Sequence, residues 1–271
     1  MTIRAIFLAG VLPLAALSAC ATVASEPAAA PAAVVKFDLG PPYIGGGLPG
    51  GETLVAAPPA EGSQALDRDE TNNAGYLAAA GGARWHQAAR DAHLGPGWFT
   101  QSFSCAAGRA IDDAATPATA RLLRRAGGDF AMSTSAVKER YMRLRPFAVN
   151  GGPTCTPDDE QALRGNGSYP SGHSAIGYGT GLVLASLLPD RAAGLLARGK
   201  AFAASRAACN VHWTSDVEAG ETIAAATFAR MQSSEAFRAD WAAARSELAA
   251  LAAQPVDAAV CAGEQAALAQ P

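Results

Sequence analysis

The chain has 271 residues, 49% of them hydrophobic and 17% charged, and its formal net charge is −3. This length suffices for one large domain or two small ones around a sizeable core. The weakly acidic balance and the lack of a long basic run argue against a nucleic-acid polymer as the main partner. Alanine is abundant and aromatic residues are few, which favours closely packed helices.

The first twenty residues are typical of an export signal. Arg4 supplies the positive start, and the apolar run over residues 5–19 is too short to span a bilayer comfortably. Residues 17–20 (LSAC) resemble a bacterial lipobox, in which Cys20 carries the lipid and becomes the mature N-terminus. An ordinary signal peptide cleaved slightly later is the alternative. We therefore predict a periplasmic protein, anchored to the outer membrane if the lipobox is used.

Four cysteines remain of the five if Cys20 carries lipid. An even number in an oxidising compartment suggests two disulfides, with three possible pairings. Cys155 and Cys209 lie near the motifs described below, which favours that pair and leaves Cys105 with Cys261 to fasten the C-terminal tail. Buried free thiols are the alternative.

After the signal, residues 21–62 are rich in Ala, Pro and Gly and predict a tether and an irregular N-terminal arm. Helical patterns follow almost throughout, ended by Pro146, by Pro189 and by the pair Gly127-Gly128. No β-type alternation persists. We predict an all-α fold, with one globular helical domain at 63–252 and a tail at 253–271 that is poorly ordered unless Cys261 is bonded. The predicted helices are 67–80, 83–92, 117–128, 130–144, 173–188, 191–205, 215–231 and 235–252.

Three glycines, Gly177, Gly179 and Gly181, fall within one predicted helix. Each costs about 1 kcal/mol relative to alanine inside a helix. The pattern indicates a close approach to a neighbouring helix, or else a short or broken helix.

Residues 138–146 (KERYMRLRP) form the first of three motifs. Lys138 and Arg145 are two helical turns apart and should project from one face, while Arg140 and Arg143 point elsewhere. Pro146 would place Arg145 at the helix end. Such a segment alone is also compatible with an ordinary basic surface helix.

The second motif, residues 167–173 (GSYPSGH), is followed by an apolar helix. The N–H groups of Ser171, Gly172 and His173 can face one point at the positive end of that helix, which makes an anion site. The Ser171 hydroxyl adds a donor, and His173 stands at the edge, placed to exchange a proton. A serine N-cap after a proline turn is the alternative.

The third motif contains Arg206, His212 and Asp216. His212 and Asp216 are four residues apart, so the carboxylate can bond one imidazole nitrogen and leave the other as a nucleophile. Arg206 has the wrong helical phase to join them, which predicts a break near Cys209 and Asn210. A simple buried His–Asp hydrogen bond is the alternative.

Together the motifs resemble the signature of the type 2 phosphatidic acid phosphatase/vanadium haloperoxidase superfamily. Within it the chain is most similar to the soluble bacterial class A non-specific acid phosphatases, from about residue 67 to about residue 249. Ser174 replaces the usual Thr, and the lipobox and the cysteine-bearing tail are atypical. The residues that carry the likeness are 138 and 145–147, 141–143, 167–173, 205–206, 212–213 and 215–217.

The resemblance implies hydrolysis of small phosphate monoesters with broad specificity, best at acidic pH. His212 would attack phosphorus and form a phosphohistidine, Asp216 would orient it, and His173 would protonate the leaving alcohol and then activate water. The phosphate-binding residues would be Lys138, Arg145, Ser171, Gly172 and Arg206. No metal or cofactor is expected, since His86 and His93 match no ligand pattern. Relatives often self-associate, so a homo-oligomer is compatible with the resemblance.

Three other functions share parts of this pattern. A vanadate-dependent haloperoxidase has the same signature, although the short chain and the flanking residues favour a phosphatase. A membrane lipid phosphatase would carry several apolar spans, and the signal is the only long one here. A non-catalytic anion-binding lipoprotein would not need both His173 and His212.

Overall fold

The computed structural model describes residues 39–45, 48, 51–95 and 97–270. They fall within one compact unit, Val35–Pro271. The signal, the lipobox with Cys20 and the first part of the tether lie outside the described residues, and their assignments stay predictions.

Throughout its described part the chain is helical and contains no β-strand, which confirms the predicted all-α fold. None of these helices is both long enough and apolar enough to cross a membrane. Short 3-10 helices cover Gly51–Thr53, Pro157–Asp159 and Pro189–Arg191. The α-helices are α1 Gln64–Ala78, α2 Ala83–Asp91, α3 Trp98–Gln101, α4 Ser104–Ala107, α5 Pro117–Met132, α6 Ser135–Tyr141, α7 Pro146–Asn150, α8 Glu160–Arg164, α9 Gly172–Leu187, α10 Ala192–Ala208, α11 Thr214–Met231, α12 Glu235–Ala250 and α13 Ala258–Leu268.

Local chemistry sets several helix starts. Ser63 and Ser234 cap α1 and α12 by accepting backbone N–H groups three residues later. Proline stands at the first turn of α5 and α7, where its missing N–H costs nothing.

The predicted break at Gly127-Gly128 is wrong, because α5 continues through both glycines to Met132. A Cβ on Gly127 would lie 3.4 Å from Leu39 and 3.7 Å from Phe99, which are ordinary van der Waals distances, so this face of the helix is packed against its neighbours. Burial of this face outweighs the weak helix propensity of glycine.

The predicted helix 130–144 is also wrong, since α6 covers only Ser135–Tyr141. Met142 adopts a left-handed conformation with φ 40° and ends the helix. Lys138 and Arg145 therefore do not share one helical face.

The glycine-rich α9 is continuous and packs against α5, α10 and α11. A Cβ on Gly177 would collide with Phe202, and one on Gly179 with Phe130. At Gly181 a Cβ would lie 2.9 Å from the carbonyl oxygen of Leu195. These glycines allow neighbouring helices to approach closely. Of the two alternatives drawn from the sequence, close approach is therefore confirmed and a broken helix is not.

The C-terminal tail contains helix α13. The sequence predicts order here only if Cys261 is bonded, and that bond is present. Cys261 lies on α13 and is bonded to Cys105 on α4, and Cys155 is bonded to Cys209. Both disulfides have the pairing favoured from the sequence. The guanidinium of Arg198 on α10 adds an ion pair to Glu264, so α13 is fastened at two points.

We expect Gly181→Ala to lower the free energy of unfolding by about 2 kcal/mol, because the added methyl group overpacks a rigid backbone contact. The matched control is Gly75→Ala on α1, where a Cβ meets nothing within 4 Å. That change should stabilise the protein by up to about 1 kcal/mol. Equilibrium unfolding in guanidinium measures both variants, and equal stabilisation would contradict the close approach.

Candidate active site

Lys138 and Arg145 reach the site from different elements and meet at one acceptor. Lys138 Nζ donates to the Gly167 carbonyl oxygen at 2.9 Å, and Arg145 Nη2 donates to the same oxygen at 3.4 Å. Arg145 comes at the end of the extended stretch that follows Met142 and directly precedes α7. The two cations are therefore brought together by the 163–168 segment rather than by helical periodicity.

The second motif forms the N-terminus of α9, with Ser171 as its N-cap. The Ser171 hydroxyl accepts the Ser174 N–H at 3.2 Å, so the serine-cap interpretation is realised. The Ser171 N–H donates to the backbone carbonyl of Asp216 at 2.9 Å, which corrects the predicted nest of three N–H groups. Gly172, at the first position of α9, keeps an N–H that helical hydrogen bonding does not use.

The predicted break between Arg206 and His212 is present. Helix α10 ends at Ala208, Asn210 has φ 61°, and α11 begins at Thr214. The His212 N–H donates to the carbonyl oxygen of Arg206 at 3.2 Å. The disulfide to Cys209 and the side-chain amide of Asn210, which bonds Asn73, hold this turn.

His212 lies between a carboxylate and a guanidinium group. Its Nδ1 is 3.4 Å from Asp216 Oδ2, and its Nε2 is 3.0 Å from Arg145 Nη1. Because arginine only donates, the neutral ring must carry its proton on Nδ1 and its lone pair on Nε2. The structure thus brings His212, Asp216 and Arg145 together and leaves the lone pair of the neutral ring on Nε2.

Arg206 is the strongest indication of an anion site. Its side chain is 1% exposed, yet Nε and Nη1 find no hydrogen-bond partner among the described residues. Leaving such charged donors unpaired in a protein interior costs several kcal/mol unless an anion accepts from them. Arg145 differs, since its donors already bond the carbonyl oxygens of Leu163, Asn166 and Val211.

His173 is half-buried in the first turn of α9. Its Nε2 is 3.2 Å from the carbonyl oxygen of Ala92, at the end of α2. A carbonyl only accepts, so Nε2 carries the proton and Nδ1 is the basic nitrogen of the neutral ring. This contact fixes the orientation of the ring.

Burial of several cations together shifts their pKa values. Burial, and then Arg145, lowers the pKa of Lys138 to about 7. Burial lowers the pKa of both Arg145 and Arg206 to about 10. Burial also lowers the pKa of both His173 and His212 well below the usual range. The next largest cause is Arg206 for His173 and Arg145 for His212. A bound dianion would relieve this repulsion.

Sequence reasoning missed two residues that support Asp216. Arg143 Nη1 donates to Asp216 Oδ1 at 2.7 Å, and Arg143 Nη2 donates to Asp69 Oδ2 at 2.9 Å. Arg143 and Arg145 are two residues apart in an extended stretch, where side chains two positions apart lie on the same side. This spacing is a sequence signal that could have identified Arg143. Asp69, on α1, carries no such signal.

Within the described part of the chain, no group of three His, Cys, Asp or Glu side chains could hold a metal ion. The expectation that the reaction needs neither metal nor cofactor stays a prediction.

The chain is similar to several known proteins. Residues 126–237 match the family model of the PAP2 superfamily. An acid phosphatase of Zymomonas mobilis is 40% identical over 196 residues, which cover 72% of this chain and 74% of that protein. A non-specific acid phosphatase of Salmonella typhimurium is 44% identical over 171 residues, or 62% of this chain and 68% of that protein. A non-specific acid phosphatase of Salmonella typhi is 42% identical over 194 residues, or 70% and 77%.

We expect the affinity for sulfate to fall by up to about tenfold per pH unit above about pH 7, because Lys138 then loses its proton in the free protein while the bound anion would retain it. Sulfate is a suitable probe because its own charge is constant over this range. Titration calorimetry of the wild type and of Lys138→Met measures the effect. The variant should bind more weakly and lack the step near pH 7, and identical profiles for both proteins would contradict the assignment.

Proposed function

Since the chain belongs to the PAP2 superfamily and, within it, to the bacterial class A non-specific acid phosphatases, we propose that it hydrolyses phosphate monoesters through a phosphohistidine on His212, without a metal ion. Membership of this class makes the chain an acid phosphatase, and the proposal concerns the chemical route of hydrolysis. The observation that supports the route most is Arg206, buried with unpaired donors beside a histidine whose Nε2 lone pair is available for attack.

In the first step the Nε2 lone pair of His212 forms a bond to phosphorus as the ester P–O bond breaks. The electron pair of that bond goes to the leaving oxygen, which takes a proton from the imidazolium of His173 and departs as the alcohol. Asp216 accepts the Nδ1–H of His212 and stabilises the positive charge that the phosphorylated ring acquires.

In the second step water attacks phosphorus on the phosphohistidine. His173, now neutral, takes a proton from the water as the new P–O bond forms. The P–N bond breaks, its electron pair returns to Nε2 of His212, and inorganic phosphate is released. Each histidine ends the cycle in its starting protonation state.

Charge stabilisation comes from Lys138, Arg145, Arg206, Ser171 and the Gly172 N–H. Phosphoryl transfer depends mainly on positioning and on neutralising the equatorial oxygens, so buried cations and backbone donors can supply the catalysis. Arg145 Nη1, which lies 3.0 Å from Nε2, would transfer its hydrogen bond to a phosphoryl oxygen when substrate binds. All these donors address the phosphoryl group alone, which supports broad specificity for the alcohol portion.

The proposed mechanism predicts an acidic optimum. His173 must be protonated in the first step, and its pKa is lowered by burial and by Arg206. Binding a dianionic substrate raises that pKa, so the protonated fraction is highest at low pH and is lost as the pH rises through the value in the complex.

The test is hydrolysis of p-nitrophenyl phosphate by the domain from Val35 onward, in EDTA, with rapid acid quenching to measure phosphoenzyme. The wild type should turn over with an acidic optimum, and His212→Ala should form no phosphoenzyme. His173→Ala should still be phosphorylated, because p-nitrophenolate leaves without a proton, but should accumulate phosphoenzyme since water is no longer activated.

The loss of wild-type activity in EDTA, or phosphoenzyme formation by His212→Ala, would overturn the route. If the wild type shows no turnover, bromide oxidation with added vanadate becomes the next assay, because a haloperoxidase shares the signature.

We also propose that the protein is exported to the periplasm and carries lipid on Cys20. The LSAC sequence and two disulfides, which suit an oxidising compartment, support this. In a bacterial host fed radiolabelled palmitate, the wild type should incorporate label and Cys20→Ala should not. Export without label in the wild type would instead indicate an ordinary signal peptide.

A further inference from the structure

A buried chain of charges leads from helix α1 to the nucleophile. Asp69 on α1 is fully buried, and its carboxylate accepts from Arg143 Nη2 at 2.9 Å and from the Ser215 N–H at 2.8 Å. The Ser215 hydroxyl donates to the same carboxylate. The other end of the guanidinium, Arg143 Nη1, donates to Asp216 Oδ1 at 2.7 Å.

We propose that Asp69 and Arg143 form a positioning pair for the proposed nucleophile: they hold the Asp216 carboxylate ionised and aimed at His212 Nδ1, so that the lone pair of His212 stays on Nε2. The proposal rests on the phosphohistidine route above. Neither residue is among the proposed phosphate-binding groups, and Arg143 bonds Asp216 directly, so both act through Asp216.

Asp216 needs this support because its surroundings oppose its charge. It is fully buried, and burial raises the pKa of its carboxyl group, while Arg143 is the largest influence in the opposite direction. One of its oxygens, Oδ2, is already engaged by the Trp213 N–H at 2.8 Å, with His212 Nδ1 further away at 3.4 Å. A protonated or rotated carboxyl group would no longer accept the Nδ1–H, and the ring tautomer would be lost.

Arg143 in turn needs Asp69. The guanidinium bridges two carboxylates with its two terminal nitrogens, a fork that lysine cannot reproduce with one ammonium group. Asp69 also binds the first turn of α11 through Ser215, the residue before Asp216. The single carboxylate of Asp69 therefore fixes both the cation and the backbone that carries Asp216.

The experiment measures the rate of His212 phosphorylation, by rapid quench, for Asp69→Asn in the wild-type and Asp216→Asn backgrounds. Asp69→Asn should slow phosphorylation about tenfold in the wild type, as loss of an outer partner commonly does. In the Asp216→Asn background the further loss should be under about twofold, because residues that act as a unit are not additive. Sulfate affinity should be nearly unchanged in both, since the phosphate-binding side chains are intact.

The matched control is Asp67→Asn, an exposed carboxylate on the same helix, which should leave the rate unchanged. Arg143→Lys is the second variant, should Asp69→Asn prove too unstable to purify. It keeps a positive charge but cannot bridge both carboxylates, and it should show the same lack of additivity with Asp216→Asn. A purely structural role would lower the melting temperature and would slow phosphorylation by equal factors in both backgrounds.

A readout independent of turnover separates this inference from the proposed route. The chain has only four histidines, so ¹⁵N spectra of histidine-labelled protein can be assigned by His212→Ala. The wild type should show His212 as the Nδ1–H tautomer, and Asp69→Asn should show a mixture with the Nε2–H form.

Each outcome decides one claim. A wild type that never forms phosphoenzyme overturns the proposed route, and the tautomer of His212 then still tests the positioning pair. The positioning pair is overturned if Asp69→Asn slows phosphorylation by the same factor in both backgrounds, or if it leaves the tautomer of His212 unchanged. It is also overturned if Asp69→Asn weakens sulfate binding by as large a factor as it slows phosphorylation.

Discussion

The site depends on the burial of three cationic side chains, Lys138, Arg145 and Arg206, within one small volume. Removal from water lowers the pKa of all three, and repulsion by a neighbouring arginine further lowers the pKa of Lys138 and of Arg145. Arg206 keeps two donors that no described residue accepts. This arrangement is costly for folding, and it is the arrangement that stabilises a dianion most when one binds. Under the proposed function, binding of a phosphoryl group offsets this cost.

The helical scaffold holds these charges in place. Helix α9 lies against α5, α10 and α11, and its glycines let α5 and α10 come close to it. Gly220 on α11 is part of that fit, since a Cβ there would lie 2.5 Å from the Ser171 carbonyl oxygen. The break after α10 then turns His212 back towards Arg206, with the Cys155–Cys209 disulfide at its corner.

Much of the fold and site could be predicted because it follows local rules. The helical phase of Arg206 and His212 required a break, and the break is present. The position of Arg145 could not be predicted, because Met142 ends α6 in a left-handed conformation that non-glycine side chains rarely adopt. Gly167 permits this turn, since a Cβ there would lie 3.0 Å from Met142 Cα. Asp69 is more than seventy residues from Arg143, and only tertiary structure brings them together.

The most direct test of the account is a crystal structure of the protein with vanadate, which mimics the phosphoryl group in its transition state. The account predicts a bond between vanadium and Nε2 of His212, with Nε and Nη1 of Arg206 donating to the vanadate oxygens. Arg145 Nη1 should have moved from Nε2 to one of those oxygens. Vanadate bound away from His212, or Arg206 donors that remain unpaired beside it, would contradict the account.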